Sequence, residues 1–204
     1  NQAIQIATLG VDAIGVISVK ESPRYVLPNK KKDIFRNLKK NFPNIKRVSV
    51  VKNIPLELIC TNSFNYENVI QLHGDENLSY CKSLREKIPQ LEIWKAFRIK
   101  EKEDLKKIEP FSNFIDVVLL DSWNETTYGG SGKKINPKYL EELKFSKPWL
   151  LAGGISIEWI KQILLNIKPN GIDVSSSIES SPGIKDLIKT KRLLSLIKGN
   201  NFIK

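Results

Sequence analysis

The chain has 204 residues, 27% of them charged, with 33 Lys and Arg against 22 Asp and Glu for a formal net charge of +11. That length supports one sizeable core, so a single domain over residues 1–204 is expected, and no apolar run approaches the roughly 18 residues of a membrane helix. The basic excess is lysine scattered through helical stretches rather than Arg interleaved with aromatics, which argues for solvated helix faces and against nucleic acid or a membrane as partner.

Taken in order, residues 1–9 carry Ala3, Ile4 and Ala7 at helical spacing. Gly10 caps that helix, residues 12–19 form a buried strand, and a turn holding Pro23 and Arg24 follows. Residues 29–41 predict a helix with Ile34, Phe35 and Leu38 on one face. Strands are expected at 46–51, 69–72, 91–97 and 117–120, with helices at 56–61, 77–88 and 101–108 between them. A polar segment over 122–136 contains Tyr128-Gly-Gly-Ser-Gly132, and 137–143 reads as helix. Then comes an apolar strand ending in Gly153 and Gly154, an amphipathic helix, and a last strand ending in Asp173, Ser175 and Ser176. A helix over 186–197 closes the pattern. Cys60 and Cys81 have neither metal-ligand nor disulfide spacing, fall in helical stretches, and suit a reducing cytoplasm as structural thiols.

Seven short apolar strands alternating with helices are the pattern of parallel βα units. Alternation alone fits an open doubly wound sheet or a (β/α)8 TIM barrel. Polar residues at most strand ends, with Gly and Ser pairs after the last two strands, favour the barrel, whose phosphate sites lie there. Because the chain opens in a helix, the remaining strand of an eight-stranded barrel is expected before Asn1.

Several side chains are chemical candidates on this pattern. Asp121 ends an apolar strand, either as a loop carboxylate bonding nearby amides or as a catalytic group at the barrel mouth. Gln71 and His73 alternate at a strand end, so both point to one side. Gly153, Gly154, Ser175 and Ser176 are read as a phosphate cradle, glycine permitting close backbone approach, with Asp173 orienting loop amides. Residues 128–132, with Gly130 at their centre, read as a lid.

The motifs Ser22-Pro-Arg-Tyr25, Ile70-Gln-Leu-His-Gly74, Leu119-Leu-Asp-Ser122, Tyr128-Gly-Gly-Ser-Gly132, Leu151-Ala-Gly-Gly-Ile155, Asp173-Val-Ser-Ser176 and Ser181-Pro-Gly-Ile-Lys-Asp186, in this order, resemble the phosphoribosylanthranilate isomerase family of tryptophan biosynthesis. The resemblance covers nearly the whole chain. It implies a ribulose-phosphate-binding TIM barrel that rearranges a small phosphosugar by acid–base chemistry, with no cofactor and no metal. It further implies that Asp121 is the general acid and that Arg24 grips the anthranilate carboxylate. The family's base is a cysteine in a Lys-Ile-Cys-Gly strand, absent here and expected in roughly a dozen residues ahead of Asn1. Oligomeric state stays open, a homodimer included.

Departures from the family pattern include Ser177 at a usual glycine, where a positive φ would strain a side chain. Two competing readings remain. Another phosphosugar barrel, such as indoleglycerol-phosphate synthase, would want catalytic strand lysines, of which Lys95 is the convenient one. A non-catalytic protein would hold a phosphorylated ligand only.

Overall fold

Seven strands pair in parallel in the order in which the chain supplies them: β1 (Ala13–Ile17), β2 (Lys46–Val51), β3 (Val69–Leu72), β4 (Glu92–Ile99), β5 (Val117–Ser122), β6 (Trp149–Leu151) and β7 (Gly171–Ile172). The computed structural model describes residues 2–61, 66–122, 134–141 and 143–199. Strands of such a sheet are covered on both faces and therefore read as continuous apolar runs. All four residues of β3 are buried. The sheet curls as in an α/β barrel.

Helix α1 (Gln2–Thr8) precedes β1, and α2 (Pro28–Asn41), α3 (Leu56–Thr61), α4 (Leu78–Lys87), α5 (Ile157–Asn166) and α6 (Leu187–Gly199) lie between or after the strands. Pro28 starts α2, where its missing N–H has no intrahelical role, and Phe35 and Leu38 are turned fully inward. The Asn77 side chain accepts from the Tyr80 amide to cap α4, and the Ser156 hydroxyl accepts from the Trp159 amide to cap α5. Burying such apolar stripes stabilises each helix by far more than its intrinsic propensity does.

Two local expectations change, and one unassigned stretch forms a hairpin. Residues 101–108 wind as a 3-10 helix, Lys102–Lys107, rather than an α-helix. Their buried residues, Leu105 and Ile108, are three apart, the repeat of a 3-10 turn. Among the described residues of 137–143, only Pro137–Tyr139 wind, as a 3-10 turn, since one short turn does not meet the cost of nucleating a longer helix. Glu179–Ser181 and Ile184–Lys185 form an antiparallel hairpin, β8 and β9, turning through Gly183 at φ +83°.

Parallel pairing places every strand's C-terminal end at one rim. Inside the sheet, Val48, Val69 and Trp94 pack together, with Ala96, Leu119 and Ala152 beside them. Among the described residues β1 and β7 are the two sheet edges. A cavity of about 1850 Å³ runs along the interior between them, from Ile14, Val16 and Leu150 to the rim residues Arg24, Gln71, His73 and Asp173.

Candidate active site

Alternation along β3 sends Gln71 to the face of Val69, and His73, two residues on, follows it at the rim. β5 delivers Asp121 to the same rim, buried at 2% exposure. His73 Nε2 lies 3.1 Å from Asp121 Oδ2, and His73 Nδ1 lies 3.2 Å from the Gln71 amide nitrogen. That nitrogen also donates to Asp173 Oδ2 at 3.4 Å. An amide nitrogen only donates, so Nδ1 accepts, and the neutral imidazole carries its proton on Nε2, aimed at Asp121. The other Asp121 oxygen accepts from the Ser122 amide at 2.8 Å. Four side chains from three strand ends thus form one hydrogen-bonded chain.

Asp173 belongs to this chain. The sequence reading has it orienting loop amides, whereas its carboxyl meets Gln71 and its own amide donates to the Leu151 carbonyl at 2.8 Å. Burial pushes the Asp173 carboxyl above the ordinary carboxylate value, against the hydrogen bond from Gln71, which favours the charged form.

Gly153 stands against the candidate acid. Its φ is +76°, and a Cβ there would come 2.6 Å from Asp121 Oδ1 and 2.5 Å from Ser122 Oγ. Close approach to protein therefore explains this glycine before any ligand is invoked. Gly154 follows at φ +61°, leading to the Ser156 cap of α5. Ser175 and Ser176 follow the neighbouring strand and open the 3-10 turn Ser176–Ile178, and Lys185 Nζ donates to the Ser175 carbonyl at 3.0 Å. The two pairs thus end adjacent strands at one rim. Ser177 lies in that turn without left-handed backbone; Asn53, at φ 47°, is the one such non-glycine among the described residues. The expected strain at Ser177 is therefore absent.

Arg24 lines the same cavity with its guanidinium held by Glu179: Nε lies 3.0 Å from both carboxylate oxygens and Nη2 lies 2.8 Å from Oε2. Sequence reading missed Glu179 and Lys185, which meet at 2.9 Å. An acidic residue just after the serine cluster was the available signal. Lys95 does not line the cavity; its Nζ is buried on Glu76 Oε2 at 2.9 Å and the Gly74 carbonyl at 2.8 Å. Cys81 is fully buried in α4, which pushes its thiol up to about 11. The Cys60 side chain, Gly130 and the rest of 128–132 lie outside the described residues. Among the described residues no group of His, Cys, Asp and Glu could hold a metal ion.

Residues 1–195 match the family model described as N-(5'-phosphoribosyl)anthranilate isomerase. The enzyme of that name from Synechococcus elongatus is 41% identical over 203 residues, covering 100% of this chain and 94% of the relative. The crystal structure of phosphoribosyl anthranilate isomerase from Thermotoga maritima superposes with a TM-score of 0.85 at 27% identity, over 97% of this chain and 93% of that one. A structure of the isomerase in complex with reduced 1-(o-carboxyphenylamino)-1-deoxyribulose 5-phosphate matches at a TM-score of 0.77 and 26% identity, over 97% and 93% of the two chains. An α/β barrel whose rim joins β3, β5 and β7 through His73, Asp121 and Asp173 therefore belongs, on sequence and fold alike, to the N-(5'-phosphoribosyl)anthranilate isomerase family.

Proposed function

We propose that the protein isomerises N-(5'-phosphoribosyl)anthranilate to 1-(2-carboxyphenylamino)-1-deoxyribulose 5-phosphate, with Asp121 as general acid. The observation that carries this reading is the buried Asp121 carboxyl at the rim, in contact with His73 and walled by Gly153. Asp121 delivers a proton to the furanose ring oxygen and the ring opens to a Schiff base; a general base, for which the family resemblance implies a cysteine, then takes the C2′ proton to give an enolamine that tautomerises to the ketone. The carboxylate left after proton transfer meets two ready donors, His73 Nε2–H and the Ser122 amide. Cys81, buried and with its thiol raised, is not the base.

In this reading Gly154, Ser175, Ser176 and the amides at the start of α5 take the phosphate, and Arg24 takes the anthranilate carboxylate. The burial of Lys95 on Glu76 weighs against a barrel that works through strand lysines. Arg24, Arg47, Arg85 and Arg98 are bonded within the fold rather than offered to a polyanion, which supports a small phosphosugar and not nucleic acid as partner. Among the described residues no helix is long and apolar enough to cross a membrane; we assign the protein to the cytoplasm. The full-length protein given N-(5'-phosphoribosyl)anthranilate should form the ketone product, followed as loss of anthranilate-type fluorescence. Absence of turnover with correctly folded protein contradicts the assignment.

A further inference from the structure

The Arg24 guanidinium is engaged along one edge only. Nε and Nη2 form a side-on pair with Glu179, and Nη1 makes no hydrogen bond to any described residue. A guanidinium is a rigid planar fork, so fixing its side-on edge fixes where the end-on edge of Nη1 and Nη2 points. Glu179 is itself immobilised: its side chain is 4% exposed, Lys185 Nζ lies 2.9 Å from Oε1, and the Gly183 amide donates to Oε1 at 3.2 Å. The hairpin of β8 and β9 therefore acts as a mount for one arginine that begins after β1. Arg24, Glu179 and Lys185 line the cavity that also holds Gln71, His73 and Asp173. One carboxylate between two cations leaves this wall with a net single positive charge, suited to one further carboxylate.

We propose that Glu179 is a positioning residue that presents the end-on edge of Arg24 to the aryl carboxylate of the substrate, with Lys185 steadying Glu179. The proposal rests on Arg24 as the carboxylate grip. Its consequence is selectivity: a planar anion is met by two parallel N–H donors, whereas a carboxamide offers one acceptor and no charge. A purely structural tie between the β1 loop and the hairpin would instead affect stability and leave substrate affinity alone.

The test is steady-state kinetics on the full-length enzyme with Arg24→Gln, Glu179→Gln, Glu179→Asp and the double variant Arg24→Gln/Glu179→Gln. Loss of a charge-assisted contact predicts a KM raised about 10- to 100-fold in Arg24→Gln. Glu179→Gln should raise KM about tenfold with kcat within about twofold. The double variant should be no worse than Arg24→Gln, because Glu179 acts through Arg24. Should Glu179→Gln not fold, Glu179→Asp retains the buried charge while withdrawing it by one methylene, and the same rise in KM is expected. An Arg24→Gln enzyme with unchanged KM overturns the Arg24 reading and the proposal with it. Loss of affinity in Arg24→Gln beside wild-type KM in both Glu179 variants, or penalties that multiply in the double variant, overturns the role of Glu179 alone.

Discussion

His73 on the end of β3 reaches across β4 to place Nε2 3.1 Å from Asp121 Oδ2 on the end of β5. Gln71, one pleat repeat back on the same strand, sets the imidazole tautomer from the other side. With Asp121 in its proposed role as the acid, His73→Asn should lower kcat about 10- to 100-fold with a smaller effect on KM, because it removes a donor to the carboxylate that proton transfer would leave. Steady-state kinetics on the purified variant checks this, and an unchanged kcat excludes His73 from the proton-transfer step.

Gly153 and Gly183 separate backbone strain from close approach. Both have strongly positive φ, +76° and +83°, but a Cβ at Gly153 meets Asp121 and Ser122 below 3 Å while one at Gly183 meets nothing within 4 Å. Gly183→Ala should lose about 1 kcal/mol, and Gly153→Ala about 2–4 kcal/mol together with most activity. Thermal melts of the two variants give the comparison, each kcal/mol being about 2–4 °C in a chain of this size.

Asp173 should trade stability for function. Its folded pKa is raised by burial above its ordinary value of 3.8, so between those two values the native state binds more protons than the unfolded one, and stability falls as pH rises through that window. Asp173→Asn removes the penalty and should be about 0.5–2 kcal/mol more stable at neutral pH, with the gain vanishing in acid, while activity declines. Urea melts at several pH values test the sign.

Glu179 has the opposite sign. Burial alone would raise its pKa, but hydrogen bonds and charge from Arg24 and Lys185 prevail and hold it below its ordinary 4.5. The stability it contributes is present above that value and is lost as pH falls through the folded pKa. Glu179→Gln should therefore flatten the acid limb of the stability curve, measured by denaturant melts from neutral pH downward.

The buried pair Lys95 and Glu76 pins the loop that follows His73. Lys95 Nζ donates to the Gly74 carbonyl and to Glu76, and Glu76 accepts from the Gly74 and Asn53 amides at 3.1 and 2.8 Å. Lys95→Met leaves a buried carboxylate without its cation and should cost about 3–5 kcal/mol. The double change Lys95→Met/Glu76→Leu should recover only part, since both amides then lack their acceptor. Chemical denaturation of the three proteins orders these effects.

The strands and the amphipathic helices were legible because burial leaves a trace in the sequence: β3 is buried on both faces and apolar but for Gln71, and α2 turns Phe35 and Leu38 inward at three-residue spacing. His73 and Gln71 were legible as a same-side pair. Glu179 was not, because its partner Arg24 is 155 positions away and the hairpin that presents it has only two- and three-residue strands. Gly153 shows the same limit at short range. Two glycines after a strand announce a close backbone approach, but only the three-dimensional packing shows that the neighbour of the first is the Asp121 carboxyl.

Asp121 as the acid of an isomerase is most directly tested by comparing wild type and Asp121→Asn in the fluorescence assay, alongside titration with the reduced product analogue. The substitution preserves size and the contact at Gly153 while removing the transferable proton. Turnover reduced by about 10³-fold or more with analogue affinity within a few-fold of wild type is the predicted result. Turnover retained by Asp121→Asn would contradict it.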